Sequence, residues 1–120
     1  MNPEFLKMLS VDQATADWFY ETDPVTGTTF GMKTLLSDPQ TGMSVLYCVY
    51  PKGYCKPAHH HTFGQGLYVL EGVMQADGKL FHPGEFVWYP AGVVGSHGAT
   101  EAGDVAFLAF ANGEGKLFYD

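Results

Sequence analysis

The sequence predicts an all-β domain, either a sandwich or a barrel, and three observations support this. Short runs rich in Val, Tyr, Phe and Thr recur along the chain, and these residue types favour strands. Turns containing Gly or Pro separate the runs at near-regular intervals. In no segment do apolar residues recur about every 3.6 positions between helix-capping residues, which is the pattern of an amphipathic helix. The 120 residues contain no linker, low-complexity segment or internal repeat, so one domain is expected.

The first half of the chain predicts three strands bounded by two similar turns. Residues 2–16 mix polar and apolar positions, with room for one helical turn. The strand-like runs are "DWFYE" (17–21), "TTFGMKTLLS" (28–37) and "MSVLYCVY" (43–50). Between them lie "DPVTG" (23–27) and "DPQTG" (38–42). In each turn Pro fixes one dihedral angle and Gly supplies a positive φ.

The second half predicts further strands in the same way. We expect one strand in "GLYVLEGVMQA" (66–76), two short strands in "KLFHPGEFVWYPAG" (79–92), one strand within "GSHGATEAG" (95–103) and a long apolar strand in "DVAFLAFANG" (104–113). The tripeptide "DGK" (77–79) is a strong hairpin signal, because Asp-Gly suits a two-residue turn with positive φ angles.

Composition excludes several classes of function. Six Lys and Arg residues stand against thirteen Asp and Glu, and the basic residues do not cluster, so neither nucleic acid nor anionic membrane is an expected partner. No apolar run approaches the roughly 20 residues of a membrane helix. The first residues, "MNPEFLKMLS", lack the pattern of a signal peptide, so we expect a cytoplasmic protein.

The two cysteines do not indicate a disulfide scaffold. In the expected cytoplasmic setting both would stay reduced. Cys48 lies in an apolar run and is expected to be a small core residue. Cys55 precedes His59 by four residues, and we expect a buried thiol there and not a metal ligand.

Three consecutive histidines, "HHH" at 59–61, are the most informative residues of the chain. On a strand, side chains alternate between faces, so His59 and His61 point to one side and His60 to the other. Their Cα atoms would be about 6.6 Å apart, which lets two imidazoles converge on one metal ion. Gln65 follows four residues after His61, and His97 comes after the run "YPAG".

This arrangement resembles the two sequence motifs of the cupin family. The first motif is matched in spacing, with Gln in place of the usual Glu, by Gly53, His59, His61, Gln65 and Gly72. The second is matched by Gly84, Pro90 and Gly92, and His97 follows two residues later than in the strict pattern. The resemblance implies a small RmlC-like jelly-roll barrel, the cupin double-stranded β-helix. It would form a single domain over residues 1–120, with the motif core at 53–110 and N-terminal strands at 15–50.

The resemblance also implies a bound cofactor. It would be one divalent transition metal ion, Fe, Ni, Zn or Mn, held by His59, His61, Gln65 and His97. Neutral imidazoles suit all of these ions, and a Gln oxygen leaves the ion its full charge. Gln65 could instead hydrogen-bond to a ligand without touching the ion. We expect solvated or structural roles for the remaining polar candidates, which are His60, His82, Glu71, Glu85 and Glu101.

Three functions remain open at this stage. The runs "WFYETDPVTG", "KTLLSDPQTG" and "HHHTFGQGLYVLEG" resemble small cupins of the ChrR-like and diketone-cleaving dioxygenase type. The first hypothesis is therefore a non-haem dioxygenase acting on a small neutral or weakly acidic carbonyl compound. A sugar-acid lyase or isomerase would use the metal as a Lewis acid. The third hypothesis is a non-catalytic metal- or ligand-binding module. A general base in the pocket would distinguish an enzyme from such a module, and the sequence identifies none.

The expected partners are a small-molecule substrate and a second copy of the chain. Pocket residues are expected at Tyr47 (or its neighbour Cys48), Phe63, Trp88 and Phe107. The basic residues near the motifs are Lys52 and Lys56, too few for a strongly anionic substrate. We expect at least a homodimer, because the apolar strands at 45–50 and 105–110 cannot all lie inside one small barrel and need covering.

Overall fold

The computed structural model describes residues 8–120, which form eleven β-strands and no helix. The strands are β1 (Phe19–Thr22), β2 (Thr29–Ser37), β3 (Ser44–Tyr50), β4 (Cys55–His61), β5 (Gln65–Glu71), β6 (Met74–Ala76), β7 (Lys79–Phe81), β8 (Phe86–Tyr89), β9 (Gly95–Ala99), β10 (Val105–Ala111) and β11 (Leu117–Tyr119). Two antiparallel sheets result, in the orders β1-β2-β3-β10-β5-β8 and β11-β4-β9-β6-β7. The predicted all-β jelly roll is confirmed.

The core lies between the two sheets and follows strand alternation. Leu67 and Val69 of β5, Phe107 of β10 and Met74 of β6 are fully or almost fully buried. Burying each of these side chains contributes about 1.5–3 kcal/mol. Phe30, Tyr50 and Tyr54 form an aromatic cluster with ring centroids 4.8–5.6 Å apart. This cluster adjoins the inner face of β4 and β9, where the candidate site lies.

The hairpin prediction at 77–79 is confirmed, and the prediction of one strand at 66–76 is wrong. Asp77 and Gly78 have φ angles of 50° and 80° and connect β6 to β7. At Gly72, φ is 78°, and a Cβ there would collide with the carbonyl oxygen of Asp104. The chain turns at this glycine and passes from the first sheet to the second, so β5 and β6 are separate strands.

The chain ends also differ from the expectation. One helical turn is expected within residues 2–16. The first part of this range, residues 2–7, lies outside the residues that the structure describes. Residues 12–16 close a single turn in which the carbonyl of Asp12 accepts hydrogen bonds from the amides of Thr15 and Ala16. The segment "KLFYD", for which no strand was predicted, contributes β11, which pairs with β4. No helix able to cross a membrane occurs in the described part of the chain.

Candidate metal centre

Adjacent strands bring the three predicted histidines together. His59 and His61 lie on β4, and His97 lies at the centre of β9, the antiparallel neighbour of β4. All three are buried, with exposed fractions of 3%, 8% and 3%. His60 faces the other way, where its Nδ1 lies 2.7 Å from Asp120 and its ring stacks on Phe118. Strand alternation therefore points His59 and His61 inward and His60 outward, as the sequence predicts.

The imidazole rings are spaced as ligands of one ion. The ring centroid of His59 is 5.0 Å from that of His61 and 5.1 Å from that of His97. Two imidazoles bound at about 2.1 Å hold their centroids about 4.6 Å apart at a right angle and about 5.3 Å apart at a tetrahedral angle. As they stand, no three His, Cys, Asp or Glu side chains among residues 8–120 form a closed metal-binding group. The pairwise spacing nevertheless fits a metal centre.

A hydrogen bond determines which nitrogen of His59 is available to a metal. Its Nδ1 lies 2.7 Å from the carbonyl oxygen of Pro57. A carbonyl oxygen can only accept, so Nδ1 carries the hydrogen and donates it. Nε2 is then left with its lone pair, which is the form that binds a metal. The backbone just before the histidines thus orients the ring of His59.

The strongest evidence for a ligand comes from buried polar atoms without partners. Among the described residues these atoms are Oε1 of Gln65 and both ring nitrogens of His97. Gln65 begins β5 and points inward with Leu67 and Val69. A small cavity of about 10 Å³ lies among His59, His61, Gln65 and His97, with Tyr89 beside it. It offers about the room of one water-sized particle, so an ion there would engage Oε1 and one nitrogen of His97.

Burial keeps these histidines neutral. It lowers the pKa of His97 well below its usual value, and the nearby His59 adds to the effect. Burial and then the charge of His59 lower the pKa of His61 to about 4. The pKa of His59 is also lowered, mainly by burial. Neutral imidazoles are the form that binds divalent transition ions, so the electrostatics and the donor types agree.

A larger cavity of about 280 Å³ adjoins the histidines. Its walls are mostly apolar and include Phe30, Met32, Leu46, Phe63, Phe107, Ala109, Phe110 and Leu117. Phe63 and Phe107 were predicted as pocket residues, and both line it. Cys48, the alternative to Tyr47, lines it as well, and burial raises the pKa of its thiol to about 12.

The other two pocket predictions are wrong because their side chains face outward. Tyr47 alternates with the inward-facing Cys48 on β3, and its ring packs against Trp18 with centroids 6.1 Å apart. Trp88 pairs with Gly66 across β5 and β8 and is 45% exposed. A shift of one residue along a strand exchanges the two faces of a sheet.

Sequence reasoning missed the position of Lys56. The β4–β9 ladder shifts register between Lys56 and His59, which adds one residue to β4. Strict alternation would place Lys56 with His60 on the outer face. The shift turns it inward instead, where it is 7% exposed and lines the larger cavity. Pro57, which has no amide hydrogen for the ladder, is the one sequence signal of this irregularity.

The remaining candidates lie outside the metal centre. Cys55 is half-buried, and its Sγ lies 3.8 Å from the carbonyl oxygen of Lys56. His82 is exposed and bonds to Glu85, with Nδ1 and Oε1 3.2 Å apart. Glu71 and Glu101 are exposed, as expected. None of these residues lines either cavity.

A barrel of two antiparallel sheets with inward histidines on neighbouring strands defines a cupin. Residues 6–114 match the family described as the ChrR cupin-like domain. The chain therefore belongs to the ChrR cupin-like family, which confirms the resemblance seen in the sequence. No curated protein matches the chain significantly.

Several solved structures share the fold. An RmlC-like cupin protein from Ralstonia eutropha JMP134 is 21% identical, with a TM-score of 0.81, over 100% of this chain and 78% of that one. A cupin-like protein from Thermotoga maritima MSB8 is 25% identical, with a TM-score of 0.66, over 77% and 76% of the two chains. The polyketide cyclase RemF from Streptomyces resistomycificus is 19% identical, with a TM-score of 0.76, over 94% and 85%.

Proposed function

We propose that this chain is a metal-dependent cupin enzyme whose divalent ion is held by His59, His61 and His97, with Gln65 as a fourth ligand. One observation carries the proposal: buried, unpaired atoms of Gln65 and His97 border the same small cavity. Buried polar groups without partners are rare and costly, so a site with several of them is suited to a ligand that supplies the missing interactions. Fe, Ni, Zn and Mn all accept this donor set.

We propose that the reaction is the oxidation of a small carbonyl compound by dioxygen. A divalent iron bound here would supply the redox chemistry towards dioxygen. The protein's own contribution is to hold the substrate within the apolar cavity, to exclude water from it and to keep the imidazoles neutral. RemF is an enzyme by its name, so this fold is compatible with catalysis.

Among the described residues, the larger cavity offers a lyase or isomerase no buried carboxylate to act as its base. A lyase or isomerase needs a side chain that removes a proton from carbon. The one carboxylate among the described lining residues is Glu21, which is exposed on the edge strand β1. Its charge is screened by solvent, so it is poorly placed to act as a base inside the cavity. A redox reaction at the ion makes no such demand.

The test is turnover with and without dioxygen. The protein is reconstituted with Fe²⁺ under nitrogen and mixed with 2,4-pentanedione or a short 2-oxo acid, and oxygen uptake and products are then followed in air and in nitrogen. We expect uptake with wild type and none with His97→Ala. Equal turnover in the two atmospheres would replace the dioxygenase with a lyase or isomerase. No turnover with any compound would favour a binding module.

We also propose that the protein is a homodimer, for a reason other than the apolar content of residues 45–50 and 105–110. β3 and β10, whose apolar residues suggested an uncovered surface, are central strands of the larger sheet. Four exposed aromatic side chains lie instead on the edge strands of this sheet, Phe19 and Tyr20 on β1 and Phe86 and Trp88 on β8. Exposed apolar patches mark interaction sites, and a second copy of the chain would cover such an edge. Light scattering should give twice 13.1 kDa, and a clean monomer at micromolar concentration would contradict this.

A further inference from the structure

Lys56 is a lysine whose side chain is largely buried and has no hydrogen-bond or salt-bridge partner among the described residues. Its side chain faces the cavity of about 280 Å³ together with the three histidines, and only 7% of the residue is exposed. Among residues 8–120 it forms no salt bridge, and its ammonium donates no hydrogen bond. Lys33, the other buried lysine, contrasts with it by donating to two oxygens of Gln13 at 2.8 and 3.0 Å. A charge held in a largely buried side chain without a direct partner is costly, and a ligand in the cavity could compensate it.

The charges near Lys56 do not supply that compensation. The carboxylate of Asp23 is engaged, because Oδ2 accepts from the Tyr54 hydroxyl at 2.6 Å and Oδ1 from the Val25 amide at 2.8 Å. Glu21 lines the same cavity but is exposed, so solvent weakens its field. The ammonium lies instead over the ring of Phe30, 4.9 Å from its centroid. That contact adds some stabilisation but leaves all three donors unused.

The position of Lys56 relates it directly to the metal centre. Lys56 and His97 are opposite one another in the β4–β9 ladder. The Cα atoms of Lys56 and His59 are three residues apart and so at most about 10 Å apart. A molecule a few carbon atoms long can therefore reach the ammonium with one end and the histidines with the other. The apolar walls between these ends suit an aliphatic or aromatic body.

We propose that Lys56 binds the carboxylate of the substrate, which makes the substrate a small oxo acid. The carboxylate lies against the ammonium, and the oxo oxygen points towards His59, His61 and His97. This assignment rests on the proposed function and narrows its substrate class. It agrees with the expectation of a neutral or weakly acidic substrate, which was based on the few basic residues near the motifs. One buried lysine beside the ligands suffices for one carboxylate.

The experiment compares acids with their methyl esters on three proteins. Pyruvate, 4-oxopentanoate and 5-oxohexanoate, each with its methyl ester, are titrated by calorimetry into Co²⁺-reconstituted wild type, Lys56→Met and Lys52→Met. Lys52 is the matched control, because it is an exposed lysine that does not line the cavity. We expect wild type and Lys52→Met to prefer at least one acid over its ester by about tenfold or more. Lys56→Met should lose that preference while binding the ester within about twofold of wild type.

Three results would overturn the assignment. Two of them are the absence of an acid preference in wild type and an unchanged acid preference in Lys56→Met. The third is an equal loss of acid binding and ester binding in Lys56→Met, which would indicate a structural role for the lysine. The Co²⁺ titration of the same proteins keeps the two proposals apart. Failure of wild type to bind Co²⁺ contradicts the proposed metal centre, whatever the acids do. Equal Co²⁺ binding in all three proteins without any acid preference contradicts only the role of Lys56.

Discussion

Tyr50 and His97 lie with their rings nearly parallel, 5.7 Å apart between centroids and 11° between planes. His97 makes no hydrogen bond from either ring nitrogen, so packing alone sets its orientation. Phe107 supports the same ring from the side, with centroids 6.1 Å apart. Tyr50 is therefore a positioning residue for the proposed ligand His97.

Replacing Tyr50 tests this positioning role. Tyr50→Leu removes the stacking surface and should weaken Co²⁺ binding by about tenfold, as loss of a supporting contact around a metal ligand commonly does. Tyr50→Phe keeps the ring and should bind Co²⁺ as wild type does. Both affinities are measured by titration, with circular dichroism as a check of folding. Equal Co²⁺ affinity in Tyr50→Leu and wild type would show that stacking does not hold the ligand.

Gln65 distinguishes direct ligation from indirect support. If its unpaired Oε1 binds the ion, Gln65→Glu adds a negative charge next to a divalent cation and should tighten binding. Gln65→Ala removes the oxygen and should weaken binding by about tenfold. The measurement is the metal dissociation constant of the three proteins. The same constant in all of them would mean that Gln65 does not touch the ion.

Asp23 is expected to make stability depend on pH in acid. Burial raises the pKa of this carboxyl, but hydrogen bonds from the Tyr54 hydroxyl and the amides of Val25 and Thr26 outweigh it and lower the pKa overall. The stabilisation is therefore fully present above the ordinary pKa, near 3.8, and is lost as the pH falls through the lower folded value.

Asp23→Asn should lower the free energy of unfolding by about 1–3 kcal/mol at neutral pH, and the deficit should shrink in acid. Asp38→Asn is the matched control, since Asp38 holds the other "DPxTG" turn without a tyrosine partner and should matter less. Urea unfolding between pH 2 and 7 checks this. A deficit that stays constant over that range would contradict the sign.

Lys56 should lower stability in the absence of ligand. Lys56→Met keeps the length of the side chain and removes a charge that is largely buried and has no direct partner, so the variant should be more stable than wild type by about 1 kcal/mol. Lys33→Met removes a lysine with two hydrogen bonds and should be destabilising. Thermal unfolding of both variants provides the comparison. Loss of stability in Lys56→Met would show that its contacts with Phe30 and Tyr119 outweigh the cost of burial.

Strand alternation made much of this site predictable from sequence. It correctly placed His59 and His61 inward and His60 outward, because a period of two needs no knowledge of the partner strands. It could not place Lys56, where a bulge adds one residue, or Tyr47 and Trp88, where the register between strands decides the face. Register depends on pairing across the sheets, which no local pattern contains.

Local sequence patterns also could not predict that β4 and β9 are neighbouring strands. His97 was assigned through its place in the second motif, since nothing near residue 97 reveals which strand lies beside β9. The pairing of Lys56 with His97 and of His59 with Gly95 supplies that information. Of the four residues between Gly92 and His97, two lie before β9 begins at Gly95 and two lie within it.

The central claim is one divalent ion per chain at His59, His61 and His97, and metal stoichiometry tests it most directly. Wild type, His60→Ala and His97→Ala are reconstituted with Fe²⁺ under nitrogen, dialysed and analysed for iron. We expect about one ion per chain in wild type and in His60→Ala, whose side chain faces outward, and little in His97→Ala. Iron absent from wild type, or retained equally by His97→Ala, would contradict the account.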